Sequence, residues 1–166
     1  MGSRAEDQVN NQTTSTEELW LAYCRAEQAA DEALRPFLAA VPDPVAFLAP
    51  DLHRSGRVYA LRVLERRPEV ERRRVLPDLV TVASTTVREL RFVQSAIASL
   101  DRTWLEANIE PHVWRQLGPE ATDEQYRRLA ELLDGLGLAD LLNQVIERAA
   151  ASTDENIREV AEDWKS

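Results

Sequence analysis

The chain has one cysteine, one methionine, five glycines and two histidines in 166 residues. With Cys24 alone no internal disulfide can form, and such usage fits a reducing, cytoplasmic setting. His53 and His112 stand far apart, so no paired Cys or His spacing for zinc exists. HExxH, a glycine-rich phosphate loop and a GxSxG turn are missing as well. The sequence therefore nominates no catalytic residue, no metal ligand and no cofactor, and a non-enzyme is expected. No apolar run approaches the roughly 20 residues of a membrane helix, and no signal-peptide pattern opens the chain. Strand alternation is lacking throughout, which leaves an all-α fold. Lysine is also nearly absent. Of the 20 basic residues all but Lys165 are arginine, which reads as the codon bias of a GC-rich, bacterial genome.

What is present is charge, unevenly placed. The formal net charge is −9. Residues 1–50 contribute −5, residues 51–100 +4, and residues 101–166 −8. Acidic ends disfavour nucleic acid and favour a basic partner; only the middle reverses that argument.

Residues 1–14 are polar and aperiodic, the composition of a disordered tail. The remainder, 15–166, reads as one helical domain. Ser15 to Glu18 is a capping box. It opens a helix whose apolar positions, from Leu19 through Tyr23, Ala26, Ala30 and Ala33 to Phe37, keep helical spacing. Pro42, Pro44 and Pro50 then make a connector, leaving at most a short turn of helix over Val45 to Leu48. Further helices are expected over 54–67, over 68–83 behind Pro68, and from Ser84-Thr85-Thr86 through Leu100. Capping boxes at Thr103–Glu106 and Thr122–Gln125 open two more. Another carries Leu138 to Ile146, and Ser152-Thr153-Asp154 caps the last.

Within 54–164 one pattern recurs. Ala60-Leu61-Arg62-Val63-Leu64, Ala96-Ile97-Ala98-Ser99-Leu100 and Leu129-Ala130-Glu131-Leu132-Leu133 align with spacings of 36 and 33 residues. A period of that size with two helices per unit marks a helical solenoid. The segment Asn156-Ile157-Arg158-Glu159-Val160-Ala161 resembles the opening of HEAT-type repeats, and the resemblance covers roughly residues 54–164. It implies a short right-handed α-solenoid of about three antiparallel helix pairs preceded by an extra helix, serving as an adaptor or scaffold that binds protein. An irregular helical bundle is the alternative.

Three sets of residues are candidates for contact with a partner. Arg54, Arg62 and Arg66 fall within about 120° on one helix. With Arg67, Arg72, Arg73 and Arg74 they form a basic ridge suited to phosphate or carboxylate. Against nucleic acid, Glu69 precedes Arg72 and Arg73 at pairing distance along a helix, and three consecutive arginines fan too widely to meet one ligand. The second set is Trp104, Asn108, His112 and Arg115, mostly opposite the core stripe Leu105, Ile109, Val113 and Leu117. Tryptophan and arginine off the core are the residue types of binding hot spots. The third is the C-terminal stripe Ile157, Val160, Ala161 and Trp164, which either self-associates into a homodimer or packs back on the preceding pair. The partner is expected to be another protein. A small acidic immunity or antitoxin-type protein blocking a basic target is one alternative, and a nucleic-acid-associated factor using the Arg54–Arg74 ridge is another.

Overall fold

The computed structural model describes residues 15–86 and 89–164; the expected tail over 1–14 lies outside them, as do Val87 and Lys165. The fold is all-α, with no strand among the described residues. No helix there is long and apolar enough to cross a membrane. Two compact units arise, residues 1–42 and 43–166, divided inside the proline-rich connector.

The first unit is the helix α1 (Thr16–Ala40). Its start is the capping box read from sequence. The Glu18 amide donates to Ser15 Oγ at 3.2 Å and the Ser15 amide to Glu18 Oε2 at 2.8 Å. No residue of α1 is buried.

The second unit runs α2 (Pro44–Leu48), α3 (Arg57–Glu65), α4 (Glu69–Arg72), α5 (Leu76–Thr85), α6 (Leu90–Ala98), α7 (Arg102–Asn108), α8 (Glu110–Gln116), α9 (Asp123–Gly135), α10 (Ala139–Ala150) and α11 (Glu155–Asp163). Tight 3₁₀ turns occupy Ala49–His53 and Arg73–Val75. The single helix expected over 68–83 is thus three pieces. Pro77 is the cause: it has no amide to donate, and its ring crowds the carbonyl of Arg73 four residues back. The next helix starts at Leu90, later than the Ser84-Thr85-Thr86 signal suggested. Those hydroxyls serve the end of α5 instead. Ser84 Oγ donates to the Thr81 carbonyl at 2.8 Å, and Thr85 Oγ1 to the Val82 carbonyl at 3.2 Å.

α7 begins earlier than its expected Thr103 box. Asp101 is the N-cap, its Oδ1 accepting the Trp104 amide at 2.8 Å. Aspartate outranks threonine in that role. Pro111 then interrupts the path, and α7 and α8 join at Ile109. The predicted core stripe survives the break, for Leu105, Ile109, Val113 and Leu117 are all buried.

α5 packs against α6, α8, α9 and the 49–53 turn. α9 also meets α6, α10 and α11, and α3 lies on α6. The aligned leucines Leu64, Leu100 and Leu133 are each buried, at 1%, 4% and 0% exposure. So are their companions Leu61, Ile97 and Ala130. The apolar stripe of α11 is covered within the unit: Ile157, Val160 and Ala161 are buried, and α11 packs on α9 and α10. Arg127 of α9 holds Asp163 of α11 by an ion pair. A self-contact at this end would therefore rest on half-buried Trp164 and its exposed neighbours.

Because Leu100 and Leu133 fill enclosed positions, changing either to Ala removes contacts and leaves a cavity. Each substitution is expected to cost about 2–5 kcal/mol, read as a fall in the denaturant midpoint with a helical circular dichroism spectrum retained. Midpoints at the wild-type value would refute the alignment of the two leucines.

Candidate functional site

The arginine ridge is divided among separate fastenings. Arg67 makes a two-pronged pair with Glu71, 2.8 and 2.9 Å. Arg72 reaches Ser99, its Nη2 donating to the carbonyl at 3.2 Å and its Nη1 to the hydroxyl. Arg73 donates to Glu69 Oε1 at 2.6 and 2.9 Å. Arg74 grips Asp43 at 2.6 and 3.2 Å. Arg54 lies 3.8 Å from Asp51 in an exposed pair. Arg62 and Arg66 are exposed at α3. The three consecutive arginines thus point to three partners, as their wide helical fan requires.

Trp104 belongs to the same cluster. The Arg73 guanidinium stacks over its ring at 4.7 Å from the centroid. The amide of Asp101, three residues before Trp104, donates to Glu69 Oε1 at 2.9 Å. Glu69, Arg73, Asp101 and Trp104 therefore tie α4 and the turn after it to the start of α7. That donated amide, and then Arg73, hold the Glu69 carboxyl below the ordinary carboxylate range. Arg67 lowers Glu71, and Arg74 lowers Asp43, in the same sense.

The rest of the Trp104 set follows the kinked path. Asn108 Nδ2 donates to the Trp104 carbonyl at 2.7 Å. His112 is half-buried, its Nδ1 enclosed without a hydrogen-bond partner. Burial, and after it the charge of Arg115, push the His112 imidazolium toward its neutral form. Arg115 itself is exposed. Trp104 and Asn108 are linked to each other, and His112 to Arg115 through charge, along one side of α7 and α8.

Sequence reading missed a cleft of about 370 Å³ between α7, α8 and the start of α10. Arg102, Glu106, Glu110 and Asp140 line it. The Arg102 guanidinium is already engaged, donating to Glu106 at 2.5 Å, to the Gly137 carbonyl at 2.9 Å and to the Leu136 carbonyl. With three carboxylates facing one committed cation, the cleft repels anions. Its lining holds no hydroxyl, thiol or imidazole to serve as a nucleophile. Among the described residues no group of three or more His, Cys, Asp or Glu is placed to hold a metal. Gly137, at φ 65°, reverses the chain at the edge of the cleft.

No protein-family model matches the chain, and neither a curated protein nor a solved structure matches it.

Two windows of acid sensitivity follow from these environments. A carboxyl or imidazole whose native pKa is depressed contributes its stability above the unfolded value and loses it as pH falls through the native one. His112 should start a loss of stability below its ordinary pKa of 6.5. Glu69 and Glu71 should add a steeper loss below 4.5. Denaturation midpoints across pH should show both, with His112→Gln abolishing the upper step and Glu69→Gln flattening the lower one. A pH-independent midpoint down to pH 4 would contradict both assignments.

Proposed function

We propose that the protein is a non-enzymatic helical module that binds another protein through an exposed helical face. The observation that carries this reading is the placement of its aromatic residues. Of four Trp, three Tyr and three Phe, only Tyr126 is buried. Phe47, Tyr59 and Phe92 of the second unit are 57%, 72% and 44% exposed, while the core is aliphatic. Large aromatic side chains normally dominate core energetics. Left on a surface beside arginine, they form the composition of a binding site. The Trp104, Asn108, His112 and Arg115 side of α7 and α8 is the leading part of that face.

A HEAT-like stack is the finer form of this proposal. Contacts of α3 with α6, α6 with α9 and α9 with α11 support it, since first helices of successive pairs meet in a stack. The contact of α5 with α9 reaches past the middle pair and favours the bundle alternative. The charge of −8 over residues 101–166 makes a basic protein the best-matched partner, as an immunity or antitoxin-type role would require.

Capture from the native host with the full chain as bait tests the reading. Trp104→Ala and Arg115→Ala should each weaken the recovered complex by at least about 2 kcal/mol, with the melting temperature lowered by only a few degrees. Early melting of Trp104→Ala with binding intact would make the Arg73–Trp104 stack structural and shift the face toward Tyr59 and Phe92.

Nucleic acid is not the partner in this reading, because Arg67, Arg72, Arg73 and Arg74 already have partners within the chain. Fluorescence anisotropy at about 50 mM salt should detect nothing tighter than the non-specific range of roughly 10⁻⁴ to 10⁻⁶ M. Submicromolar, steeply salt-dependent binding that Arg72→Glu/Arg73→Glu abolishes would overturn it.

A further inference from the structure

We infer that α1 is a self-association element that pairs antiparallel with α1 of a second copy. Its 25 residues include none that is buried; Leu19, Trp20 and Tyr23 are 59%, 61% and 50% exposed. The positions Leu19, Tyr23, Ala26, Ala30, Ala33 and Phe37 follow an unbroken alternation of four- and three-residue steps. That alternation, averaging 3.5 residues, is the seam of a helix meant for another helix.

The seam is nearly self-complementary about a point between Ala26 and Ala30. Antiparallel pairing sets Ala26 against Ala30 of the second copy, Tyr23 against its Ala33, and Leu19 against its Phe37. Small residues then meet where two crossing helices come closest, and bulk increases toward both ends where they diverge. A contact of this kind is isologous, each surface serving both copies.

The helix termini choose the direction. Parallel pairing would set Glu17 and Glu18 beside their own copies and align the two helix dipoles. The area is sufficient. A specific interface needs about 600 Å² from each partner, and half-burial of the exposed Trp20 and Tyr23, at about 150–250 Å² each, supplies roughly a third of that. The alanines and leucines along a helix about 37 Å long supply the rest.

Sedimentation equilibrium of the full chain from about 1 to 200 µM is the test. A dimer should form whose dissociation constant rises at least tenfold in Ala30→Glu. Ala30 is exposed, so that change leaves the fold intact, checked by an unchanged helical spectrum and an unchanged melt of the second unit. Trp164→Glu should leave the dimer in place. In a Cys24→Ser background, Ala26→Cys and Ala30→Cys chains should form a disulfide readily when mixed and poorly when each is alone. A monomer throughout the range overturns the inference, including one whose α1 amides resist hydrogen exchange because the stripe is covered otherwise. So does a dimer indifferent to Ala30→Glu, or Ala26→Cys chains that cross-link best to themselves.

Discussion

The second unit depends on the enclosure of α5, a helix with almost no wet side. Its last residue, Thr85, is the only exposed one; Leu76, Leu79, Val80, Val82, Ala83 and Ser84 are buried. Each large aliphatic so buried is worth about 1.5–3 kcal/mol relative to exposure. That gain is available only if neighbours close every side, which is why α6, α8, α9 and the 49–53 turn all converge there. Enclosure also brings in polar groups that must be satisfied. Thr81 Oγ1 donates to the Pro77 carbonyl at 2.9 Å and accepts from Gln116 Nε2 at 2.9 Å, which joins α5 to α8 by a half-buried hydrogen bond. At the near end His53 Nε2 lies 2.9 Å from Asp78 Oδ1, joining the 49–53 turn to the same helix.

Around this centre arginine acts as the fastener between short helices. Breaks at Pro77 and Pro111 leave several pieces under ten residues, too short to persist on their own. A guanidinium can take two or three acceptors at once in fixed geometry, so one side chain can hold a neighbouring turn. Arg102 does so at Leu136 and Gly137, and Arg57 at the Leu52 carbonyl, 2.6 Å away. Gln94 plays the neutral counterpart: its Nε2 donates to the Glu131 carbonyl at 3.0 Å, over the spot where Gly135 leaves room. A side-chain carbon at Gly135 would lie 2.3 Å from that amide nitrogen, so any side chain there would push the Gln94 amide away from the Glu131 carbonyl.

Much of this architecture is readable from the sequence because it is local. Capping boxes at Ser15 and Thr122, and the Asp154 cap, stand where their spacing put them. The stripe from Leu105 to Leu117 is buried at every position, since burial depends on helical period even across a proline kink. What the sequence hides is competition. Thr103 loses its cap to Asp101, because Glu69, over thirty residues away, fixes the Asp101 amide. Ser84 and Thr85 look like a helix start yet bond backward to close α5. The arginine run looks like a binding ridge until Ser99 and Asp43, neither near it in sequence, are brought alongside. The acidic cleft has no sequence signature at all, for its two sides are α7–α8 and the turn into α10.

In the proposed reading, an aliphatic core and an aromatic surface would separate stability from recognition. When the same aromatic serves both, truncating it unfolds the protein and the loss of binding says little. Here Tyr59 and Phe92 stand exposed on α3 and α6, while Leu61, Leu64, Val93 and Ile97 of those helices carry the packing. Removing an exposed ring creates no cavity, so its contribution to folding is small by the same argument that makes Leu133 large. Trp104 differs from them in being half-buried under the Arg73 guanidinium. A partner that displaced Arg73 from that ring would also disturb the Glu69 carboxylate, whose Oε1 accepts from both Arg73 and the Asp101 amide. Binding at this place would therefore act on the α4–α7 junction as well as on the surface.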